Sequence, residues 1–574
     1  MPLTKPYSGA SRKLVIGIDF GTTYSGVSYA ILYNREVPKI LSVTRYPGQE
    51  GDKQVGDTKI PTIIYYSKDG QVRAVGAEAE NSKLDAEDEN WKLAKWFKLH
   101  LRPSDLADFL EYLFTCAKDH ISQAHLEGPQ LVESSSNIEF VLAHPNGWGG
   151  SQQSCMREAA VLAGLIPNNQ EGEERLHFVT EGEASLHYCI AKELAADIIK
   201  AGKRLVIVDA GGGTVDISTY EIVSTAPISA IEATVADCLM QGSTYVNSRA
   251  EDFLRKKLNV ACRDKSKKSR FGDEEYLDVM MDKFESYTKP TFRETTKSSQ
   301  IEFTGHREAD EKYGIKRGRL TLIQSEMASF FDPSIKAIED AIKKQVAGAG
   351  GTVHMVLLVG GFAASPYLRA KLQTYSQREG LTLICPESQP AKAVAEGALY
   401  FHLDDVVAAR VAKFHYGSSC AVPWIPFLPD HMMRRAKVGV NAAGIPLVPG
   451  GFCIILPKGA LVSKDEEFGE TFSRTWDQSS EDISCEVIRY KGAREDPCWI
   501  DDEPKMFQTL CTIRADASSV PKVKETGRFG PYEVQNFRLV LLFGLTELKA
   551  QLAWKEDGGE KRSPAKVIFE DDAK

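Results

Sequence analysis

LVIGIDFGTTYSGVSYA (Leu14–Ala30) and LVIVDAGGGTVDISTYEI (Leu205–Ile222) are two spellings of one pattern. Each begins as an apolar strand that ends in Asp, turns through small residues and Thr, and resumes as a second strand with alternating character. Asp19 corresponds to Asp209, and Gly21-Thr22-Thr23 corresponds to Gly212-Gly213-Thr214, with one extra residue in the second turn. Glycine lets such a turn close tightly and lets backbone N–H groups approach an anion with no Cβ in the way. Threonine hydroxyls add donors, and an Asp at the strand end is a hard oxygen ligand suited to Mg²⁺, directly or through water. One DAGGGT segment alone serves equally well as a plain β-turn. Two copies about 190 residues apart predict two similar half-domains that face each other across a cleft and clasp phosphates between them.

A third segment extends the pattern. VLLVGGFAASPYLRAKL (Val356–Leu372) reads as strand, Gly-Gly turn and helix. Gly360 and Gly361 would let the sugar or base of a nucleotide lie on the backbone, and the helix N-terminus behind them favours negative charge. The same spelling also suits a close strand–helix packing turn.

Working outward, the region from Leu14 to about Tyr400 alternates apolar runs (LVIGIDF, FVLAHP, LVIVDAG, MVLLVGG) with helical stretches (AVLAGLI, EASLHYCIAKELAADIIK, SEMASFFDPSIKAIEDAIKKQV). Continuous apolar strands separated by helices predict an α/β domain. Beyond about Ala412, LVPGGFCIILP, GETFSRTW, DISCEVIRY, FRLVLLFG and ELKAQLAW are short alternating segments broken by Gly, Pro and Asp, which predicts an antiparallel β module. The boundary falls between His402 and Ser418, and the charged end, KEDGGEKRSPAKVIFEDDAK, reads as a mobile tail.

Composition narrows the function classes. The 574 residues exceed one compact core, and 43% apolar with 26% charged residues is ordinary globular usage. A net charge of −9 lacks the footprint of a nucleic-acid-coating protein and gives no pull towards anionic membranes. The eleven cysteines form no C-x-x-C pair, which argues against a zinc knuckle and points to reduced thiols in a cytoplasmic or nuclear setting. The N-terminus has no apolar signal region, and no apolar run is long enough to span a bilayer. The basic run Arg263–Arg270 reads as a solvated loop, with an acidic partner or a nuclear address as the lesser reading. No P-loop, H-E-x-x-H or G-x-S-x-G motif is present. His144 reads as structural, and Trp91 and Trp96 as cover for the core.

GIDFGTTYSG, VDAGGGTVDIS and LLVGGFAASP, in this order and spacing, resemble the heat shock protein 70 family of the actin-like (ribonuclease H-like) ATPase superfamily. IPTIIYYSKDGQVRAVGAEA, FVLAHPNGWGGSQQSCMREAAVLAGL and FVTEGEASLHYCIA extend the likeness over most of residues 14–400, and GGFAASPYL with ARVAKFHYGSSCAVPW is closer to the divergent, lidless heat shock protein A12-like and fungal branch. The resemblance implies a flexible 1–12, an ATPase domain over 13–405 with lobes at about 13–200 and 201–405, a β-rich substrate-binding-like domain over 415–555 without a helical lid, and a charged tail at 556–574.

It also implies roles. Asp19 and Asp209 would hold Mg²⁺ through water. Gly21, Thr22, Thr23 and Tyr24 would meet the β and γ phosphates of ATP or ADP, with Gly211, Gly212, Gly213 and Thr214 opposite and Asp216 at the family's acidic position. Glu181 would stand near the metal and the attacking water. The water-orienting lysine is Lys95 by spacing or Lys98 by spelling. Gly242, Ser243 and Thr244 match the loop over the nucleotide, and Gly360, Gly361 and Phe362 the adenosine side. Glu285 and Lys289 match the residues around adenine and ribose, or form a surface ion pair of a few tenths of a kcal/mol.

The sequence also departs from the family. Phe362 and Ala364 replace the Ser and Arg after the third Gly-Gly, Ala391 replaces an acid, Gly182 replaces a Pro, and VAARVAKFHY stands where the interdomain linker would be. The resulting expectation is a slowly hydrolysing chaperone-like ATPase acting on extended polypeptides or with co-chaperones. A non-catalytic ATP-sensing scaffold and a small-molecule kinase of the same superfamily are the alternatives.

Overall fold

A computed structural model of the chain describes residues 5–49, 58–192, 200–262, 264, 267–385, 392–463, 466–475, 482–556, 558–564 and 566–567, apart from 544–547. The chain divides into two compact units, one made of residues 1–147 and 156–406, the other of residues 148–155 and 407–574.

The first unit is built on two sheets of matching topology. In one, β1 (Lys13–Asp19) and β2 (Tyr24–Leu32) form an antiparallel hairpin, β3 (Ile40–Ser42) joins beyond β2, and β4 (Ile138–His144) and β5 (Leu176–Thr180) extend the other side in parallel. In the other, β6 (Arg204–Ala210) and β7 (Val215–Thr225) form the hairpin, β8 (Ile228–Glu232) joins beyond β7, and β9 (Val353–Val359) and β10 (Thr382–Ile384) run parallel to β6. β1, β4, β6 and β9 are buried along nearly their whole length, as strands covered on both faces must be.

Helices complete the unit. α1 (Phe97–His100) is one turn, α2 (Pro103–Ala124) is amphipathic, and α3 (Glu181–Ala191) is buried throughout. α4 (Ser243–Lys257), α5 (Gln324–Gly348) and α6 (Pro366–Arg378) share a core with the second sheet through Val246, Leu254, Phe331, Ile342 and Leu372. α7 (Ala393–Leu403) packs so closely on α3 that a Cβ on Gly397 would overlap the Ala184 carbonyl.

In the second unit, β11 (His415–Pro423), β12 (Pro446–Leu456), β14 (Asp482–Tyr490) and β15 (Phe507–Asp516) form an antiparallel sheet. β13 (Glu467–Thr475), β16 (Gly530–Phe543) and β17 (Leu548–Glu556) form another. Alternate residues such as Ile483, Cys485 and Val487 point inward and meet Leu539, Leu541 and Leu552 in one core.

Against the sequence expectations, the structure agrees in some places and departs in others. The AVLAGLI helix stops at Leu162, because Gly164 takes a φ of +70° and turns the chain away. The EASLHYCIAKELAADIIK helix is described only to Ala191, since 193–199 lie outside the described residues. Within the N-terminal segment, Tyr7 exchanges backbone hydrogen bonds with Arg35 and Glu36. Nor is the charged end wholly a tail, because Gly559–Arg562 and Lys566–Val567 pair with β17, helped by the two-pronged contact of Arg562 with Glu467 at 2.7 and 2.8 Å. In the basic run, Lys267, Lys268 and Arg270 each pair with a nearby carboxylate, as a solvated loop would. All eleven cysteines are free thiols. No helix among the described residues is long and apolar enough to cross a membrane.

Candidate functional site

The two glycine-threonine turns meet. A Cβ on Gly213 would come within 2.5 Å of Thr22 Oγ1, and one on Gly212 would overlap Thr23 Oγ1. Only glycine permits this approach. Each turn is held from behind. Gly21 N–H donates to Ser25 Oγ at 3.1 Å, Ser25 shares a hydrogen bond with Thr62 at 2.8 Å, and Thr62 N–H donates to the Thr23 carbonyl at 2.8 Å. On the opposite side, Gly211, Gly212 and Gly213 present their carbonyls to the N–H groups of Ser243, Thr244 and Gly242 at 2.9–3.1 Å, and Thr244 Oγ1 also donates to Gly212. The start of α4 thus caps the second turn and brings Gly242, Ser243 and Thr244 against it. Tyr24 stands half exposed at the head of β2.

Beneath the turns lies a basin of carboxylates. Asp19 ends β1, Asp209 lies one residue before the end of β6, and Asp216 is the register partner of Asp209 on β7; all three are buried. Glu181 opens α3, where the helix N-terminus favours a negative charge, and Thr180 caps that helix by accepting the Glu183 N–H. Burial, and then Glu181, pushes the Asp209 carboxyl up to about 7, against a 2.8 Å hydrogen bond from Ser185. Asp216 is raised for the same two reasons, although Asn146 N–H donates to its Oδ1 at 2.6 Å. Its buried Oδ2 has no hydrogen-bond partner among the described residues.

Two lysines answer this charge. Lys98 is buried, and its Nζ donates to Glu181 Oε1 at 2.6 Å. Lys95 is exposed and lies over the Trp96 ring, so of the two alternatives Lys98 is the one brought to the site and Lys95 is not. The local chain is arranged for this. α1 is bracketed by Trp96 at φ +58° and Leu101 at φ +45°, left-handed backbone that bulky side chains adopt at a cost of about 1–2 kcal/mol each. Phe97 is pinned against Phe20 and Phe109 at 5.9 and 5.8 Å, which turns the next residue, Lys98, towards Glu181.

The second lysine was not anticipated. Lys59 Nζ donates to Asp19 Oδ2 at 2.5 Å. Burial alone would lower its pKa, but Asp19, and then Asp209 and Glu181, outweigh that and raise it. The sequence signal was slight: a lone Lys in KIPTIIYY, at the edge of a segment already matched as a strand.

The remaining predicted residues divide. Gly360, at φ +90°, packs against Asp209 Oδ1 and the Ala210 carbonyl, while a Cβ on Gly361 would meet open space. Phe362 is corrected. Its ring turns into the core near Phe331, centroids 6.3 Å apart, so its side chain cannot cover a base. A phenyl group has no polar atom to hold it at a wet cleft, and the apolar face of α5 is the stronger partner. Lys289 pairs with Glu285 at 3.5 Å and donates to Asn247 Oδ1 at 2.8 Å; the lysine side chain is largely buried, so the pair is not the solvated surface contact that the sequence offered as an alternative. Gly182 has a local reason to replace Pro: a Cβ there would press on Ser218 Oγ and the Asn146 amide, which bond each other at 2.9 Å. Ala391 lies outside the described residues. His144 is buried, with Nδ1 2.9 Å from the Pro145 carbonyl, and is structural. Trp91 packs beside Tyr65 and Ala74.

Residues 136–401 match a family model described as Hsp70 protein. Among curated proteins, the chain is 22% identical over 509 residues to heat shock 70 kDa protein 12B of Homo sapiens, covering 73% of this chain and 72% of the relative. It is 24% identical over 634 residues to heat shock 70 kDa protein 12A of Homo sapiens, covering 94% and 89%. It is 25% identical over 467 residues to chaperone protein DnaK of Thermoplasma volcanium, covering 75% and 66%.

Proposed function

Taking the chain as a divergent member of the Hsp70 family, we propose that it binds ATP with Mg²⁺ at the paired turns and hydrolyses it slowly, and that the β-rich second unit responds to the nucleotide. The observation that carries this reading is the meeting of Gly212 and Gly213 with Thr23 and Thr22 above buried Asp19, Asp209, Asp216 and Glu181.

The residues fit a hard cation. The donors are oxygens, the basin already draws in the Lys59 ammonium, and Asp216 Oδ2 is unsatisfied. Asp19 and Asp209 would hold Mg²⁺, which when bound neutralises the charge of the phosphate oxygens. The chain supplies the rest. Thr22, Thr23 and Thr214 offer hydroxyl donors to the phosphates, together with the N–H groups of Gly212 and Gly213, those of Gly21 and Gly211 being taken up within the turns by Ser25 Oγ and the Thr214 carbonyl. Glu181 and Lys98, fixed by their mutual hydrogen bond, orient the attacking water. Because the turns touch, a triphosphate enters between them only when they part. Binding is thereby coupled to movement of one sheet against the other, the step that would carry a signal.

A second reading, an ATP-sensing scaffold, draws on Phe362, whose burial removes a side chain from the adenosine side. Single-turnover hydrolysis of radiolabelled ATP separates the two. The ATPase reading expects phosphate release that falls at least about 100-fold in Lys98→Ala and little in Lys95→Ala. Tight binding without release in the unaltered chain selects the scaffold. In either case we infer that the second unit takes an extended polypeptide as its partner by strand addition, β13 being the terminal strand of its sheet among the described residues.

A further inference from the structure

We propose that Glu139, His177 and His402 form a binding site for a divalent d-block cation, Zn²⁺ being the ion these donors suit. The three come from separate elements. Glu139 is the register partner of Val15 on β1, and His177 that of Val141 on β5's neighbour β4. With side chains alternating along each strand, Lys13, Glu139 and His177 emerge on one face of the sheet. α7 packs on that sheet and contributes His402 from its last turn.

The donor atoms are gathered before any ion arrives. His402 Nε2 lies 2.9 Å from Glu139 Oε2, and His177 Nε2 lies 3.8 Å from the same oxygen. All three donors fall within 4.8 Å of one another. Ligands of a tetrahedral ion with ~2.0 Å bonds are ~3.3 Å apart, midway between the two distances to Oε2. His177 Nε2 makes no close hydrogen bond among the described residues, its contact with Glu139 Oε2 at 3.8 Å being too long for one. Such an atom costs stability unless something occupies it, and a cation would. Glu139 Oε1 is engaged by the Lys13 ammonium, which leaves Oε2 for the ion and holds the carboxylate in place as outer partners of metal ligands do.

Two imidazoles and one carboxylate select zinc and its d-block neighbours over Mg²⁺ and Ca²⁺, which take oxygen. Three protein ligands leave a fourth position for water or another molecule. The side chains are 16, 30 and 17% exposed for Glu139, His177 and His402, so an ion can enter. Glu183, His187 and Asp405 also cluster, but there both imidazole nitrogens are engaged, Nδ1 at the Glu183 carbonyl and Nε2 by the Val406 N–H. The proposed site is separate from the nucleotide turns: Lys13 begins β1 and Asp19 ends it, roughly 20 Å away. An ion there would fasten α7 to the sheet.

The test uses the full chain, stripped with chelator and titrated with Zn²⁺ alone by calorimetry, with metal content measured after dialysis. The proposal expects one zinc per chain, a raised thermal midpoint, and affinity at least about 100-fold weaker in His177→Ala/His402→Ala but unchanged in the exposed His306→Ala. Failure to take up zinc, or equal affinity in a double variant of unaltered circular dichroism, overturns it. Should the double variant not fold, Co²⁺ added to the unaltered chain decides. Intense ligand-field bands of a four-coordinate nitrogen–oxygen site support the proposal, and the weak spectrum of hydrated cobalt refutes it.

Discussion

Lys59 is a single residue whose position reorganises the reading of the site. Its ammonium supplies the counter-charge for Asp19 and faces Asp209 and Glu181. Removing one partner of a buried ion pair is far more costly than never having built it. Lys59→Met is therefore expected to lower the thermal midpoint by several degrees, and millimolar Mg²⁺ should restore more of it than it adds to the unaltered chain. An equal response in both would show that Lys59 does not stand where the cation is drawn. The glycines give a paired test. Gly213→Ala drives a Cβ to 2.5 Å from Thr22 Oγ1 and is expected to cost about 1–3 kcal/mol with loss of ATP binding, whereas Gly361→Ala faces open space and should stay within about 0.5 kcal/mol in urea unfolding.

At the scale of elements, much was legible because the hairpins repeat. Asp-led apolar strands, glycine turns and alternating returns place β1–β2 and β6–β7 without any knowledge of the third dimension, and burial on both faces follows from their apolar runs. The C-terminal strands were equally plain, since period-two alternation survives in DISCEVIRY and FRLVLLFG. What could not be read was which side chain a one-turn element delivers. Choosing Lys98 over Lys95 depends on left-handed backbone at Trp96 and Leu101 and on the Phe97 anchor, and neither leaves a periodic trace. Phe362 misled for the related reason that a turn residue can face either way, and the core of α5 decided it. The pairing of Gly559–Arg562 with β17 was hidden by charge, which looks like solvation until the opposite charge of Glu467 is found beside it.

One strand carries a pH prediction. His415, at the start of β11, accepts the Lys458 N–H on Nδ1 at 3.2 Å, and burial, then Lys458, lowers its pKa. An unfolded chain takes up the proton as pH falls through about 6.5, while the folded strand resists until lower pH. The contribution is thus full above that range and is lost as pH drops through the folded value. The urea midpoint of the second unit should fall between pH 7.5 and 5, and His415→Gln should flatten that dependence. An unchanged slope would assign it to other groups.

For the whole molecule, the division into two units puts every residue of the proposed nucleotide site in the first, and none in the second, which is rich in strands. If the second unit reads the nucleotide, hydrogen exchange should slow on adding Mg²⁺-ATP near residues 19–24, 209–216 and 241–244, and should also change within 415–556. Change confined to the first unit would uncouple the two. The whole account rests on one event, the closing of two glycine-threonine turns on the same triphosphate, and equilibrium titration with fluorescent ATP in Mg²⁺ measures it directly. Saturable one-to-one binding that weakens at least about tenfold in Asp209→Ala, with folding intact, is the predicted result; equal affinity in the two proteins would contradict it.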